Sequence, residues 1–492
     1  MAPRPRARPL FACLATVIVL APLAWFWYAS LVPDSYSVMD MGHADRTGGH
    51  HHGTRSVDTL TVDPGLAADV RVTLTARAER FALASGRWVR GYTLNGTSPG
   101  PVIRATQGQL VEVALVNESV EEGTTLHWHG VDVPNAADGV AGVTQDAVAP
   151  GRSHTYRFFA DRAGTYWYHA HQFSHEQVRR GLFGAVVIAP RAPAGPVTAP
   201  DPGPAAADHL ALVHRYDGVR TVDGRSGDVP VPADPGGTVR VRVVNTDNGP
   251  MNVWTVGGPY RVVAVDGTEV HEPSPVTGEA VLVTAGGRVD LELVVPAGGA
   301  RVELGGDTAL LLTPPGGTAP AGTAAPRRLL DLLSYGTPAP TGLDPARVTR
   351  EFAYDIGRRP GFLDGRPGLW WTINGRMFPD MPMFHVTEGD VVRFRISNHS
   401  GEVHPMHLHG HHALVVSRDG DPATGSPWWI DSLNVADGES YDIVFLADNP
   451  GVWADHCHNL PHATQGLVGH LLYDGVSTPY RIGGGGTANR PE

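Results

Sequence analysis

The chain has 492 residues, 42% hydrophobic and 18% charged, which excludes wholesale disorder and suggests roughly three domains at about 150 residues each. All 38 basic residues are arginine, so lysine chemistry of the Schiff-base or phosphate-loop kind is excluded. The net charge of −12, without a basic tract, argues against a nucleic-acid partner. Glycine (60) and proline (42) together favour turn-rich β structure over helical bundles.

The N-terminus reads as membrane-directed. Arg4, Arg6 and Arg8 precede an uncharged apolar run from Leu10 to Val32, ending at Pro33. As a helix the run reaches about 35 Å, enough for a hydrocarbon core of about 30 Å. A cleavable signal usually has an apolar core of only about 7–15 residues, and no convincing small-x-small site follows. Trp25, Trp27 and Tyr28 suit an interfacial aromatic belt. The expectation for residues 1–33 is a cytoplasmic Arg-rich tip followed by a transmembrane anchor, with the body on the extracytoplasmic face of the cell membrane. Secretion after signal cleavage is the alternative. Residues 34–56 then read as a tether, in which MDMGHADRTGGHHHG carries Met39, Met41, His43 and His50 to His52.

Pro/Ala/Gly-rich stretches divide the body into segments 57–190, 208–313 and 346–480. The same pattern recurs in each: GQLVEVALVN at Gly108–Asn117, GGTVRVRVVN at Gly236–Asn245 and GDVVRFRISN at Gly389–Asn398. Each is a glycine, an alternating strand-like run and a closing asparagine. A second match relates Pro150–Phe158, Ala285–Leu293 and Asp437–Phe445. The reading is all-β, with three β-sandwich domains descended from one unit.

Cys13 and Cys457 stand at opposite ends of the chain, so there is no disulfide framework. Histidine is the anomaly, with 24 copies concentrated in clusters: HWHG from His127, HAH from His169, HPMHLHG from His404 and HCHNLPH from His456. Each cluster holds two histidines separated by one residue. On a strand such a pair faces one side, about 6.5–7 Å apart. Four pairs supply eight imidazoles for one metal cluster. Cys457, between His456 and His458, must then point the other way, where His404 and His462 would complete two imidazoles and a thiolate, the ligand signature of a blue-copper site.

With these four motifs in this order, the chain resembles the multicopper oxidase family, the laccase and ascorbate-oxidase group, over about residues 57–480. The resemblance implies three cupredoxin domains and four copper ions. His404, Cys457 and His462 would hold the type 1 copper, and His127 and His407 the type 2 copper. His129, His169 and His458 would hold one type 3 copper, and His171, His409 and His456 the other. The middle segment, with no histidine from Asn245 to Gly258, would be a spacer without copper. Two departures from the family pattern stand out. Leu467 occupies the axial position where a methionine is common, and Ala463 follows the last histidine where several bacterial relatives carry an acid. Asp138, eleven residues after His127, matches the family's acidic residue near the type 2 copper and is expected to deliver protons, with a turn-capping role as the bland alternative.

The implied activity is oxidation of a one-electron donor, phenol-like organic or metal ion, at the Cys457–His462 end, with dioxygen reduced to water. A copper-sequestering surface protein with incidental Cu(I) oxidation is the alternative. A copper nitrite reductase is disfavoured by three domains and ten ligand histidines, and a metal-free scaffold by the completeness of the ligand set. The protein is expected to be a monomer.

Overall fold

The architecture was analysed on a computed structural model, which describes residues 7–42, 54–191, 207–484 and 488–492. The repeated pattern becomes a strand in each case: Leu110–Asn117, Thr238–Asn245 and Val391–Asn398, with every second side chain buried. Each pairs antiparallel with the second repeated segment, as Arg152–Phe159, Arg288–Val294 and Ser440–Leu446. On its other side each has a parallel neighbour, Val70–Ala82, Ala207–Tyr216 or Arg350–Leu363. The two sequence repeats are thus adjacent strands of one sheet.

The closing asparagine has the same task three times. Asn117, Asn245 and Asn398 are fully buried. Their amides donate to carbonyls in the loops and strand ends nearby: Val120 and Val148, then Gly249, Val283 and Thr284, then Glu402 and Val435. A buried carbonyl must find a donor, and one amide serving two or three fixes the loop after the strand.

Three pairs of sheets result, of four and four, seven and five, and seven and five strands, each closed over its own apolar core. The fold is all-β and cupredoxin-like. In the first pair His127–His129 is an edge strand beside Gly164–His169; in the third, His404–Leu408 lies beside Val452–Cys457. These strands face each other across the junction of the first and third sandwiches.

The apolar N-terminal run is helical over Ala7–Ala29. It stops short of Val32 because the residue before Pro33 is pushed out of the helical region. From Phe11 on its apolar side chains are exposed, Trp25 by 67% and Ile18 by 63%. The helix end is tied to the third sandwich, where Ser30 accepts at its carbonyl from Asp364 N (3.0 Å) and at its hydroxyl from Gly365 N (3.2 Å). Ser35–Tyr36 then pairs with Ile482–Gly483, and Val38 and Met41 enter the third core beside Met381. The start of the expected tether is therefore packed structure. His43 and His50 to His52 lie outside the described residues.

Replacing Asn245 by alanine takes a donor from two buried carbonyls, Val283 and Thr284, and from the half-buried one of Gly249. We expect a loss of about 1–3 kcal/mol in stability, read as a lower denaturant midpoint at unchanged slope.

Candidate metal centre

Eight histidines converge where the first and third sandwiches meet: His127, His129, His169 and His171 from one side, His407, His409, His456 and His458 from the other. All are buried. The sheet registers place them, with His127 opposite His169 and His407 opposite His456. Rings from the two domains stack on each other, His127 on His409 and His129 on His407, both at 3.7 Å between centroids.

Hydrogen bonding fixes which nitrogen is free in five of the eight rings. His127 Nδ1 faces the carbonyl and carboxylate of Asp138 at 3.0 Å, and His409 Nδ1 faces the same carboxylate at 3.1 Å. His407 Nδ1 lies 2.7 Å from the Asp431 carbonyl, and His169 Nδ1 is 3.0 Å from that of Ala170. Oxygens that only accept require a proton on each of these Nδ1 atoms, so each Nε2 carries a lone pair. His129 is reversed: Nε2 meets Asp431 (3.1 Å) and Ser432 (3.0 Å), and Nδ1 has no partner.

The free nitrogens point at one another. His127 Nε2 and His407 Nε2 are 3.3 Å apart, and His409 Nε2 and His456 Nε2 are 3.2 Å apart. His169 Nε2, and both ring nitrogens of His171 and His458, are buried without a hydrogen-bond partner. Protonation does not relieve the contact. Burial, reinforced by neighbouring imidazoles, drives the pKa of His129, His169, His171, His407, His409 and His458 well below the ordinary value and that of His456 to about 3. Converging neutral lone pairs in a dry site fit metal cations and nothing else on hand. Ligand atoms of His171, His409 and His456 all lie within 4.8 Å of one another, as do those of His127, His129 and His169 and of His127, His407 and His409.

Cys457 points away from this cluster into the third core, as strand alternation requires. Its Sγ lies 3.6 Å from His404 Nδ1 and 3.9 Å from His462 Nδ1, and the two nitrogens are 3.2 Å apart. The centre of such a triangle is about 2 Å from each corner, the length of a metal–nitrogen bond. The far side of His404 is held by Ser400 Oγ at 2.8 Å. Burial pushes the Cys457 thiol up and the His404 imidazole down to about 3, so without a cation neither is charged. Leu467 is fully buried in the same core, and its carbonyl accepts from Cys457 N at 3.1 Å. Ala463 is buried in the short helix Leu460–Thr464 that carries His462.

Several site residues had no signal in the sequence. Asp431 and Ser432 come from the strand region Trp429–Val435, outside every motif. Asp431 is gripped by the fully buried Arg288 of the middle sandwich, with both oxygens at 2.5 Å. Glu492 reaches within 3.5 Å of His456 Nδ1, and burial raises its carboxyl to about 7. His412, three residues past His409, bonds Asp132 at 3.0 Å and lies 3.6 Å from Asp431. The middle sandwich is more than a spacer, since its turn at Gly286 packs on the rings of His129 and His458.

Comparison with known proteins agrees with this geometry. Residues 76–193 and 351–475 each match a family model described as multicopper oxidase. The chain is 28% identical to multicopper oxidase MmcO of Mycobacterium tuberculosis, over 83% of this chain and 88% of that one. It is 29% identical to Laccase-1 of Botryotinia fuckeliana, over 76% and 77% respectively. The solved structure of a multi-copper oxidase from Pseudomonas thermotolerans superposes with a TM-score of 0.65 at 26% identity, covering 83% of this chain and 100% of the other.

The buried imidazoles predict an acid-labile apo-protein. Their folded pKa values lie below the unfolded value of about 6.5, so the unfolded chain takes up protons that the folded chain refuses. Stability is full above that pH and falls as pH drops through it, by about 1.4 kcal/mol per pH unit for each refused proton. Calorimetry should show the melting temperature of metal-stripped protein flat above pH 7 and falling steeply towards pH 5. Copper-loaded protein should fall less, because the metal occupies the lone pairs.

Proposed function

The chain belongs to the multicopper oxidase family, copper enzymes that take electrons from a reducing substrate and reduce dioxygen to water, and on that premise we propose how its residues divide the work. His404, Cys457 and His462 would hold the type 1 copper, and His127 and His407 the type 2 copper. His129, His169 and His458 would hold one type 3 copper, and His171, His409 and His456 the other. When bound, these ions accept single electrons at one end and deliver four to dioxygen at the other. The observation that carries the reading is the set of unprotonated imidazole nitrogens, from two domains, aimed at one another beside a Cys–His–His triangle.

The chain's own groups do the rest. Cys457 is bonded through the backbone to His456 and His458, so the thiolate site and both type 3 sites share one short covalent stretch. Leu467 offers no ligand atom, which leaves the type 1 site with three strong ligands and favours a high potential. His462 has 11% of its side chain exposed and is where a donor meets the site. Trp371 packs against it at 4.5 Å between centroids, Arg358 lies over that indole at 4.9 Å, and Glu402 is 3.4 Å from His462 Nε2. Arg358 also pairs with Glu402 at 3.0 Å. A carboxylate already neutralised by arginine is a poor cation trap, which favours a phenol-like donor over a metal ion, while Trp371 is buried and backs the His462 ring. The laccases among the similar proteins support the same choice.

Asp138 is the proton-handling residue of this reading. Its carboxylate accepts from His127 Nδ1 and His409 Nδ1, and so orients one type 2 and one type 3 ligand while keeping lone pairs to spare. With Ala463 unable to serve, it takes the larger share of supply to the cluster. The exposed apolar helix Ala7–Ala29 is read as a membrane anchor holding a monomeric body on the extracytoplasmic face, and its fixed junction at Ser30 and Asp364 supports an anchor over a removable leader.

Two variants test the proposal. Cys457→Ser replaces a soft thiolate by a hydroxyl, and the blue charge-transfer band and donor oxidation should both vanish; copper-loaded wild type without that band would refute the type 1 assignment. Asp138→Asn should retain four coppers and a reducible type 1 site, while stopped-flow reoxidation by dioxygen slows by about 10²-fold. Wild-type reoxidation in that variant would leave Asp138 an orienting residue only.

A further inference from the structure

The second repeated segment begins with the same glycine turn in all three domains, at Gly151, Gly286 and Gly438, with φ of 74°, 78° and 85°. In the outer two, a methyl group built on the glycine would meet open space. At Gly286 it would lie 2.7 Å from His129 Cε1 and 3.0 Å from His458 Cδ2. The Gly286 carbonyl accepts from Trp167 Nε1 of the first domain at 3.0 Å. The middle domain therefore presses a bare backbone onto the histidine cluster.

Two residues on, where the outer copies carry Ser153 and Ser440, stands Arg288, with no exposure of its side chain. Its backbone N–H donates to Asp266 at 2.9 Å and its Nε to the Thr165 carbonyl at 3.1 Å. Its two terminal nitrogens donate to the two oxygens of Asp431. A planar fork on a carboxylate fixes its orientation as well as its charge. Asp431 Oδ1 in turn faces His129 Nε2, and the Asp431 carbonyl holds His407 Nδ1. This contact sets His129 apart, for His127, His169, His407 and His409 are all held at Nδ1 and leave Nε2 free.

We propose that Arg288, from the domain that supplies no ligand, is a positioning residue for the copper cluster: by clamping Asp431 it keeps the proton of His129 on Nε2 and turns Nδ1 to the metal. The inference rests on the ligand assignment above. Neutral His129 has two tautomers, and an acceptor-only carboxylate selects the Nε2–H form as long as its oxygen stays on that nitrogen. Arg288 holds it there by fixing both Asp431 oxygens, and the Asp431 backbone carbonyl sets the partner His407. Gly130 leaves room for the clamp, since a methyl group there would meet Arg288 Nη2 and Asp431 Oδ2.

The test uses the full-length, copper-loaded protein and two variants. Arg288→Lys keeps the charge and loses the fork. Arg288→Met/Asp266→Asn removes the cation together with one of its two carboxylate neighbours, so the net buried charge of the group is unchanged. The blue band reports that the third domain is folded, because none of its three ligands touches Arg288. In Arg288→Lys we expect that band unchanged, cluster copper lost to a chelator at about 10–100-fold lower concentration, and an altered type 2 electron paramagnetic resonance spectrum. The double variant should retain the blue band and hold fewer than four coppers. Arg288→Lys with wild-type chelator resistance and a wild-type type 2 spectrum overturns the role of Arg288. Wild-type protein that takes up no copper overturns the ligand assignment instead.

Discussion

Imidazole nitrogens 3.2–3.3 Å apart, three of the four obliged by a hydrogen bond on the far side of the ring to present a lone pair, repel one another unless a cation lies between them. At the junction of the first and third sandwiches these contacts stand beside ordinary ones, such as the Asn135 amide on Val452 and the packing of Val140 and Val143 into the third core. Asp138 and Asp431 impose the tautomers of the rings they touch, burial opposes the protons that would otherwise relieve the repulsion, and the sheets hold the rings where they are. Metal coordination therefore adds to the affinity between the two sandwiches, and the apolar cores keep eight awkward groups in register. Cys457 turns the same strand to two uses, because the alternation that aims His456 at the cluster aims the sulfur into the core.

Three copies of one unit have diverged by what lies against the same turn. The strand, the closing asparagine and the antiparallel partner are retained in each, since they solve a backbone problem that every copy shares. The first and third copies acquired histidines on the strands that meet across their junction. The middle copy has none there, and what it brings to the centre is a turn without a side chain and a guanidinium. A domain with no ligand is still part of the site when the ligand's neighbour leans on it.

Local patterns were legible in the sequence and encounters between distant segments were not. Alternation in Leu110–Asn117 and its two counterparts is written in neighbouring residues, so strand type and the β class followed directly. Histidines two apart share a strand face, so HWHG and HAH already implied a shared direction, and the placing of Cys457 opposite them was a matter of parity. Asp431 sits in an ordinary strand sequence, and its neighbours His129 and Arg288 are 302 and 143 residues away, so no spacing marks it. Glu492 is equally invisible, a terminal carboxyl whose burial against Ser174 depends on where the last residues are threaded. The tether was misjudged for a related reason. Glycine and histidine beyond Gly42 suggested loose chain throughout, whereas Val38 and Met41 are apolar enough to be drawn into a core already assembled nearby.

The stitching of that N-terminal segment gives the molecule an unusual order of assembly. Val38 packs in a core that also contains Tyr473 and Ile482, and Ser35–Tyr36 finds its strand partner only in Ile482–Gly483. The first residues to emerge after the helix must wait for nearly the whole chain to be made before they can dock, the kind of long-range closure that is slow and comes late in folding. Until that docking the third core, which also encloses Cys457, lacks Val38 and Met41, so the pairing of two segments far apart in sequence completes the packing of the domain that holds the thiol.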